Sequence, residues 1–207
     1  MMIINKIIEY LEDLIPNPVC ELNYSKDYEL LIAVMLSAQT TDKRVNSVTS
    51  VLFSRYPTLE ALRDAKIEDL IDIIKSIGTY HKKALNIKII AGELLLKSNG
   101  IVPNDCFFLE GLSGVGRKTT NVVLSILYNV PCIAVDTHVA RVSIRLGLAN
   151  PKDDVLTIEK KLTKKIPEDK MNTMHHRLLL FGRYYCKARN PQCSNCGLYD
   201  ICKEKER

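Results

Sequence analysis

The sequence predicts an all-α protein of roughly ten helices. Three observations carry that expectation. Apolar residues recur every three or four positions along most of the chain, and these stretches end at Pro or Gly. No stretch reads convincingly as a strand, and there is neither an internal repeat nor a low-complexity tract.

Taken in order, Ile3, Ile4, Ile7, Ile8, Leu11, Leu14 and Ile15 form the first stripe, closed by Pro16 and Pro18. Leu30 to Leu36 is apolar all round and too long for a typical strand, which predicts a fully buried helix. Polarity returns at Ser37-Ala38-Gln39-Thr40-Thr41-Asp42, a loop and cap ahead of a helix with Val45, Val48 and Val51 inward. Ile67, Leu70, Ile71, Ile74 and Ile77 make another helix, stopped by Gly78. A long one follows from Tyr80 to Leu96, and Gly100 to Pro103 break the chain after it. Beyond Pro131, Ile133-Ala134-Val135 reads as an extended link, and Asp136 precedes a helix carrying Val139, Val142 and Leu146. Val155, Ile158, Leu162 and Ile166 form the next helix. Met174, Leu178, Phe181 and Tyr185 form the last long one, whose neighbouring His175 and His176 read as packing or surface residues.

The 207 residues suffice for one large domain or two small lobes, and 46% hydrophobic with 26% charged residues suits a globular chain. The net charge of +5, from 29 Lys and Arg against 24 Asp and Glu, is compatible with a polyanionic partner. No run is long and apolar enough to span a membrane, and the N-terminus has no signal-peptide pattern. A cytoplasmic, reducing location is expected, where clustered cysteines suggest metal rather than disulfides.

Chemistry concentrates in Leu112-Ser113-Gly114-Val115-Gly116-Arg117-Lys118-Thr119-Thr120. Two glycines one residue apart suggest a hairpin with unusual backbone angles, and Val115, Val122, Val123, Ile126 and Leu127 start a helix at once. The first turn of such a helix offers N–H groups and a positive dipole end, which suit a phosphate. Lys118 lies in that turn, where an ammonium is disfavoured and the neutral, nucleophilic amine is favoured. Eighteen residues later Val135-Asp136-Thr137-His138 places a carboxylate at a helix start, where it can also act as an N-cap. Gly111 to Thr119 approaches a nucleotide-binding P-loop, but Arg117 is inserted and no strand pattern precedes it.

Four of the seven cysteines, Cys186, Cys193, Cys196 and Cys202, are spaced Cys-x6-Cys-x2-Cys-x5-Cys. Cys20, Cys106 and Cys132 are scattered and read as small core residues or inert thiols. Four thiolates in one short loop suit either zinc or a [4Fe–4S] cubane.

The hairpin segment, followed by Val-Asp-Thr-His and the cysteine spacing, resembles the helix-hairpin-helix DNA glycosylases of the endonuclease III family, from about Glu21 to Cys202. The resemblance implies two helical lobes: residues 21–131 as a six-helix domain, and residues 1–20 with 132–207 as a discontinuous domain ending in the 186–202 loop. It selects the [4Fe–4S] cluster for the four cysteines. It also implies excision of oxidised pyrimidines with lyase cleavage at the abasic site, Lys118 as nucleophile and Asp136 as the supporting carboxylate. The partner it implies is double-stranded DNA carrying damaged bases or abasic sites, bound by a monomer. DNA contacts fall on Gln39, Thr79, Leu112, Gly114, Val115, Gly116, Arg117, His138, Lys187 and Arg189. Gln39 is the residue that enters the space left by an extruded base. Three positions depart from the pattern: the family usually has proline at Ser113, leucine at Thr79 and asparagine at His81. Loss of that proline predicts a less rigid hairpin. Two alternative readings are a mismatch adenine glycosylase and a non-catalytic DNA-binding iron–sulfur protein. The first lacks the lysine, and the second needs neither Lys118 nor Asp136.

Overall fold

The computed structural model describes residues 2–205, among which there are eleven α-helices and no strand. They are α1 (Met2–Leu14), α2 (Asp27–Leu36), α3 (Asp42–Arg55), α4 (Leu59–Asp64), α5 (Ile67–Ile74), α6 (Tyr80–Ser98), α7 (Cys106–Gly111), α8 (Arg117–Tyr128), α9 (Thr137–Arg145), α10 (Val155–Lys165) and α11 (Met171–Leu180). The chain divides into two compact units, residues 21–128 and residues 1–20 with 129–207. The second crossing thus lies three residues before the expected 131/132. Helix α8 ends at Tyr128, and Asn129 turns the chain with a φ of 53° before Pro131 is reached.

The 21–128 unit is built round α2. Every residue from Tyr28 to Leu36 is buried, as the unbroken apolar run requires, and α3, α6 and α8 pack against it. Its start is closed by Glu29, whose Oε2 accepts from the backbone N–H of Ser25 at 2.8 Å and of Lys26 at 3.3 Å. On α3 the inward face carries Val45, Val48, Thr49 and Leu52, while Val51 is exposed. The expected stripe took the three-residue step twice, whereas the helical period of 3.6 needs a four-residue step there. Helix α4, which no apolar repeat foretold, is only six residues long and is capped by Thr58, whose Oγ1 accepts from Ala61 N at 3.2 Å. A helix, α7, precedes the hairpin where a P-loop would need a strand, which removes the nucleotide-binding alternative.

In the other unit Ile7 and Leu11 of α1 meet Val139, Val142, Leu162, Met174, Leu178 and Phe181 in one core. Polar contacts fasten the N-terminal helix there as well. Arg177 of α11 is buried, and its Nε donates to Ile15 O at 3.0 Å while Nη2 donates to Pro16 O at 3.3 Å. Those carbonyls follow the last turn of α1, where a cation is favoured. Glu12 balances the charge, pairing with Arg177 at 3.5 Å and with Lys170 at 3.0 Å. Val155, expected inward on α10, is exposed at the helix's first position.

The last long helix is not continuous. After Leu180 the chain widens into a π-turn, Phe181–Tyr185, closed by Cys186 N donating to Phe181 O at 2.7 Å. The wide turn delivers Cys186 as the first residue of the cysteine loop.

Candidate active site and cysteine centre

The hairpin joins α7 to α8. Leu112 and Val115 are buried and anchor it, and Val115 N donates to Leu112 O at 3.1 Å across the turn. These two side chains face the core, so DNA contact by either residue falls to the main chain. Only one of the two glycines is conformationally demanding. Gly114 has a φ of 78°, and a Cβ there would lie 2.1 Å from Asn86 Nδ2. Gly116 takes an ordinary φ, and a Cβ there would meet no atom within 4 Å, so its backbone face is open to an approaching group.

Asn86 is a buried residue of α6 that the sequence did not single out. Its Oδ1 accepts a hydrogen bond from Ser113 Oγ at 2.7 Å. The hydroxyl therefore ties the hairpin to α6 at the position where the family's proline would have set φ. The expected loss of rigidity is offset by that bond. Lys118 is the second residue of α8 and is exposed, in the turn whose ladder begins with Thr120 N donating to Gly116 O at 3.0 Å.

Five non-glycine residues among those described have positive φ, and three of them are Asn, the residue that tolerates it best. The other two are Gln39, at 58°, expected to enter the space left by an extruded base, and Thr79, at 55°, expected to contact DNA at the position where the family usually has leucine. Both are exposed at turns. A glutamine and a β-branched threonine held there cost on the order of 1–3 kcal/mol each, which neighbouring structure must offset. Thr79 Oγ1 donates to Gly78 O at 2.7 Å within its own turn.

In the other unit Asp136 is the N-cap of α9. Its Oδ1 accepts from His138 N at 2.9 Å and from Val139 N at 2.8 Å. The cap occupies one oxygen and fixes the carboxylate's orientation, which leaves Oδ2 for other chemistry. The structural role and the catalytic one are compatible. His138 Nδ1 lies 3.2 Å from Arg141 Nη2. A guanidinium only donates, so Nδ1 is the acceptor and the ring proton sits on Nε2, which becomes a donor.

Two arginines of α9, absent from the expected site, shape the entry to the cysteine loop. Arg141 donates from Nη2 to Gly182 O at 2.6 Å and from Nε to Cys186 O at 3.2 Å. Arg145 is buried, pairs with Glu204 at 2.8 Å, and donates from Nη1 to Lys187 O at 2.7 Å and to Cys186 Sγ at 3.4 Å. Burial pushes the Cys186 thiol up, and Arg145 opposes it, favouring the thiolate that a metal needs. Lys187 and Arg189 are exposed on the loop. Of the scattered cysteines, Cys106 is exposed at the first position of α7 rather than in the core.

All four clustered cysteines are half-buried and line one cavity of ≈170 Å³, with Tyr10, Phe181 and Leu198 as apolar wall. Four thiols round one space are the donor set that an all-cysteine inorganic centre needs. The donor set and the space fit an iron–sulfur cluster. The loop is also tightly seated, since a Cβ at Gly197 would lie 2.6 Å from the Tyr10 ring.

A helix-hairpin-helix unit and a four-cysteine loop together define a class of DNA repair proteins. Residues 32–168 match the HhH-GPD superfamily base excision DNA repair protein family, and residues 186–202 match the iron-sulfur binding domain of endonuclease III. Endonuclease III of Bacillus subtilis (strain 168) is 46% identical over 200 residues, covering 97% of this chain and 91% of that protein. The structure of a trapped endonuclease III–DNA covalent intermediate superposes with a TM-score of 0.93 at 47% identity, over 98% of this chain and 96% of that one. A non-covalent endonuclease III–DNA complex gives 0.94 at 48% identity, over 98% and 94% of the two chains. The chain belongs to the endonuclease III family of base excision DNA repair proteins. Its cofactor is a [4Fe–4S] cluster. Among the described residues no helix is long and apolar enough to cross a membrane.

Two measurements probe this geometry. The purified protein should contain iron and acid-labile sulfide in near-equal amounts, and Cys196→Ser should lose both along with thermal stability; stoichiometric zinc without iron would contradict the assignment. Gly114→Ala, which adds both a strained φ and a clash with Asn86, should lower folding stability by about 2 kcal/mol or more in a denaturant titration.

Proposed function

We propose that this chain excises oxidised pyrimidines from duplex DNA and then cleaves the strand at the resulting abasic site, working as a monomer in the cytoplasm. The observation that carries the proposal is Lys118, an exposed amine in the first turn of the helix that follows the hairpin. The endonuclease III that is 47% identical to this chain was trapped in a covalent intermediate with DNA, which supports a covalent nucleophile here.

A base within a duplex is out of reach, so the nucleotide must be extruded first. Exposed Gln39 and Thr79 are the residues assigned to that step. The hairpin's main chain at Leu112, Gly114, Val115 and Gly116, with Arg117, would hold backbone phosphate at the positive end of α8. The Nε2–H of His138 and the side chains of Lys187 and Arg189 would contact phosphate as well.

The neutral amine of Lys118 attacks the sugar C1′. The C–N bond to lysine forms as the glycosidic C1′–N bond breaks, and the departing base takes up a proton. Opening of the sugar gives a protonated Schiff base. Asp136, oriented by its cap bonds, stabilises positive charge on the sugar through Oδ2 and assists proton transfers. Loss of a C2′ proton then breaks the C3′–O bond and releases the 3′ phosphate. Cys186, Cys193, Cys196 and Cys202 hold the cluster, whose role in this scheme is to frame the loop that carries Lys187 and Arg189.

Borohydride added during turnover should trap a covalent protein–DNA adduct. Lys118→Gln should abolish trapping and strand cleavage while DNA affinity stays within a few-fold; persistent trapping would name a different amine. Asp136→Asn keeps an N-capping oxygen, so it should fold and bind DNA yet excise about 10²–10⁴-fold more slowly. Replacing Lys187 and Arg189 by Ala should flatten the plot of log K against log salt by about 0.9 for each phosphate left unneutralised.

A further inference from the structure

Besides Glu29, the 21–128 unit buries the charge of Lys83, and no step of the proposed reaction uses it. Lys83 lies on the first turn of α6 and is 4% exposed. No carboxylate among the described residues pairs with it. Instead Nζ donates to Leu36 O at 2.9 Å, to Ala38 O at 2.7 Å and to Thr40 Oγ1 at 3.4 Å. An ammonium has three N–H donors, so all three have acceptors. Leu36 O is one of the last carbonyls of α2, at the negative end of that helix, and Ala38 and Thr40 flank Gln39.

The same residue also holds the other strained turn. Its backbone N–H donates to Thr79 O at 3.1 Å, the bond that starts α6 directly after Thr79. One residue thereby fastens both turns whose non-glycine, non-asparagine residues have positive φ. A second bond closes the first turn, from Thr40 N to Ser37 O at 3.0 Å. One turn further along α6, Asn86 holds the hairpin through Ser113.

We propose that Lys83 is the positioning residue for base extrusion, clamping the Gln39 and Thr79 turns to the start of α6 so that both residues meet DNA as one rigid wedge. The inference rests on the assignment of Gln39 and Thr79 to DNA made above. Desolvation lowers the Lys83 pKa, because its charge is buried against dipoles and not against an opposite charge. A plain helix C-cap needs no such ion, since glycine or solvent can serve. What the ammonium adds is reach: it bonds both flanks of Gln39 and leaves the glutamine itself projecting. Without Nζ the Gln39 turn is free to relax to ordinary backbone angles, and the side chain is no longer presented.

Lys83→Met removes the donors and keeps the side chain's length. Excision is read under single turnover on a duplex with an oxidised pyrimidine, and extrusion by the fluorescence of 2-aminopurine placed opposite the lesion. Lys83→Met should slow excision about tenfold or more and suppress the fluorescence rise, while DNA affinity changes far less. In a Gln39→Ala background the same substitution should add no more than about a twofold loss, because the group it positions is gone. If Lys83→Met does not yield folded protein, Lys83→Gln enters the same cycle. A loss that multiplies fully with that of Gln39→Ala, or no loss at all, overturns the positioning role while leaving Gln39 as the wedge. If Gln39→Ala itself changes neither signal, the wedge assignment fails, and the clamp fails with it.

Discussion

An α-helix leaves its first N–H groups and last carbonyls without partners inside the helix, and each end needs a partner from elsewhere. With no strand among the described residues to carry functional groups at sheet edges, helix ends are where this chain places its chemistry. Asp136 closes the start of α9, Lys118 stands in the opening turn of α8, and Thr79 precedes α6. At the opposite polarity Lys83 meets the end of α2, and Arg177 meets the carbonyls after α1. Charge signs follow the dipole at Asp136, Lys83 and Arg177. Lys118 runs against it. Its side chain is a cation at the positive end of α8, the end at which the dipole favours an anion.

The cysteine centre depends on the same device used sideways. Arg141 and Arg145 lie one turn apart on α9 and reach out to carbonyls of Gly182, Cys186 and Lys187. These carbonyls come from a π-turn and a loop, where the regular ladder fails. Guanidinium groups supply the missing donors and fix the first cysteine's backbone. The sulfur of Cys186 then receives an N–H from Arg145 as a by-product of the clamp.

Much of this was legible in the sequence, for identifiable reasons. Four cysteines at fixed spacing survive as a pattern because their loop is short and contiguous. The buried helix α2 was legible because its apolar run leaves no polar face. Asp136 was legible as a cap, because a carboxylate directly ahead of an apolar helical stripe marks a helix start. The unread residues share a property: their roles are set by carbonyls far away in sequence. Lys83 sits beside His81 and Lys82 and looks like part of a solvated basic face, while its acceptors lie more than forty residues earlier. Arg145 likewise reads as a surface residue until Lys187 and Glu204 surround it. The π-turn escaped notice because Met174, Leu178, Phe181 and Tyr185 keep a spacing an ordinary helix would also give. Asn86 carried no signal, since its partner Ser113 is itself the departure from the expected proline.

The discontinuous unit has a consequence for how the molecule is made. Residues 21–128 form a contiguous segment with its own buried helix, and they leave the ribosome before the partners of α1 exist. Ile7 and Leu11, by contrast, pack on Met174, Leu178 and Phe181, which are synthesised last. The nascent N-terminal helix therefore waits, its apolar stripe unpaired, through most of translation. Tyr10 on that helix also forms a wall of the cysteine cavity, so the cavity is complete only when both chain ends have been brought together. A chain cut short before residue 186 would have neither the four thiols nor the finished wall around them.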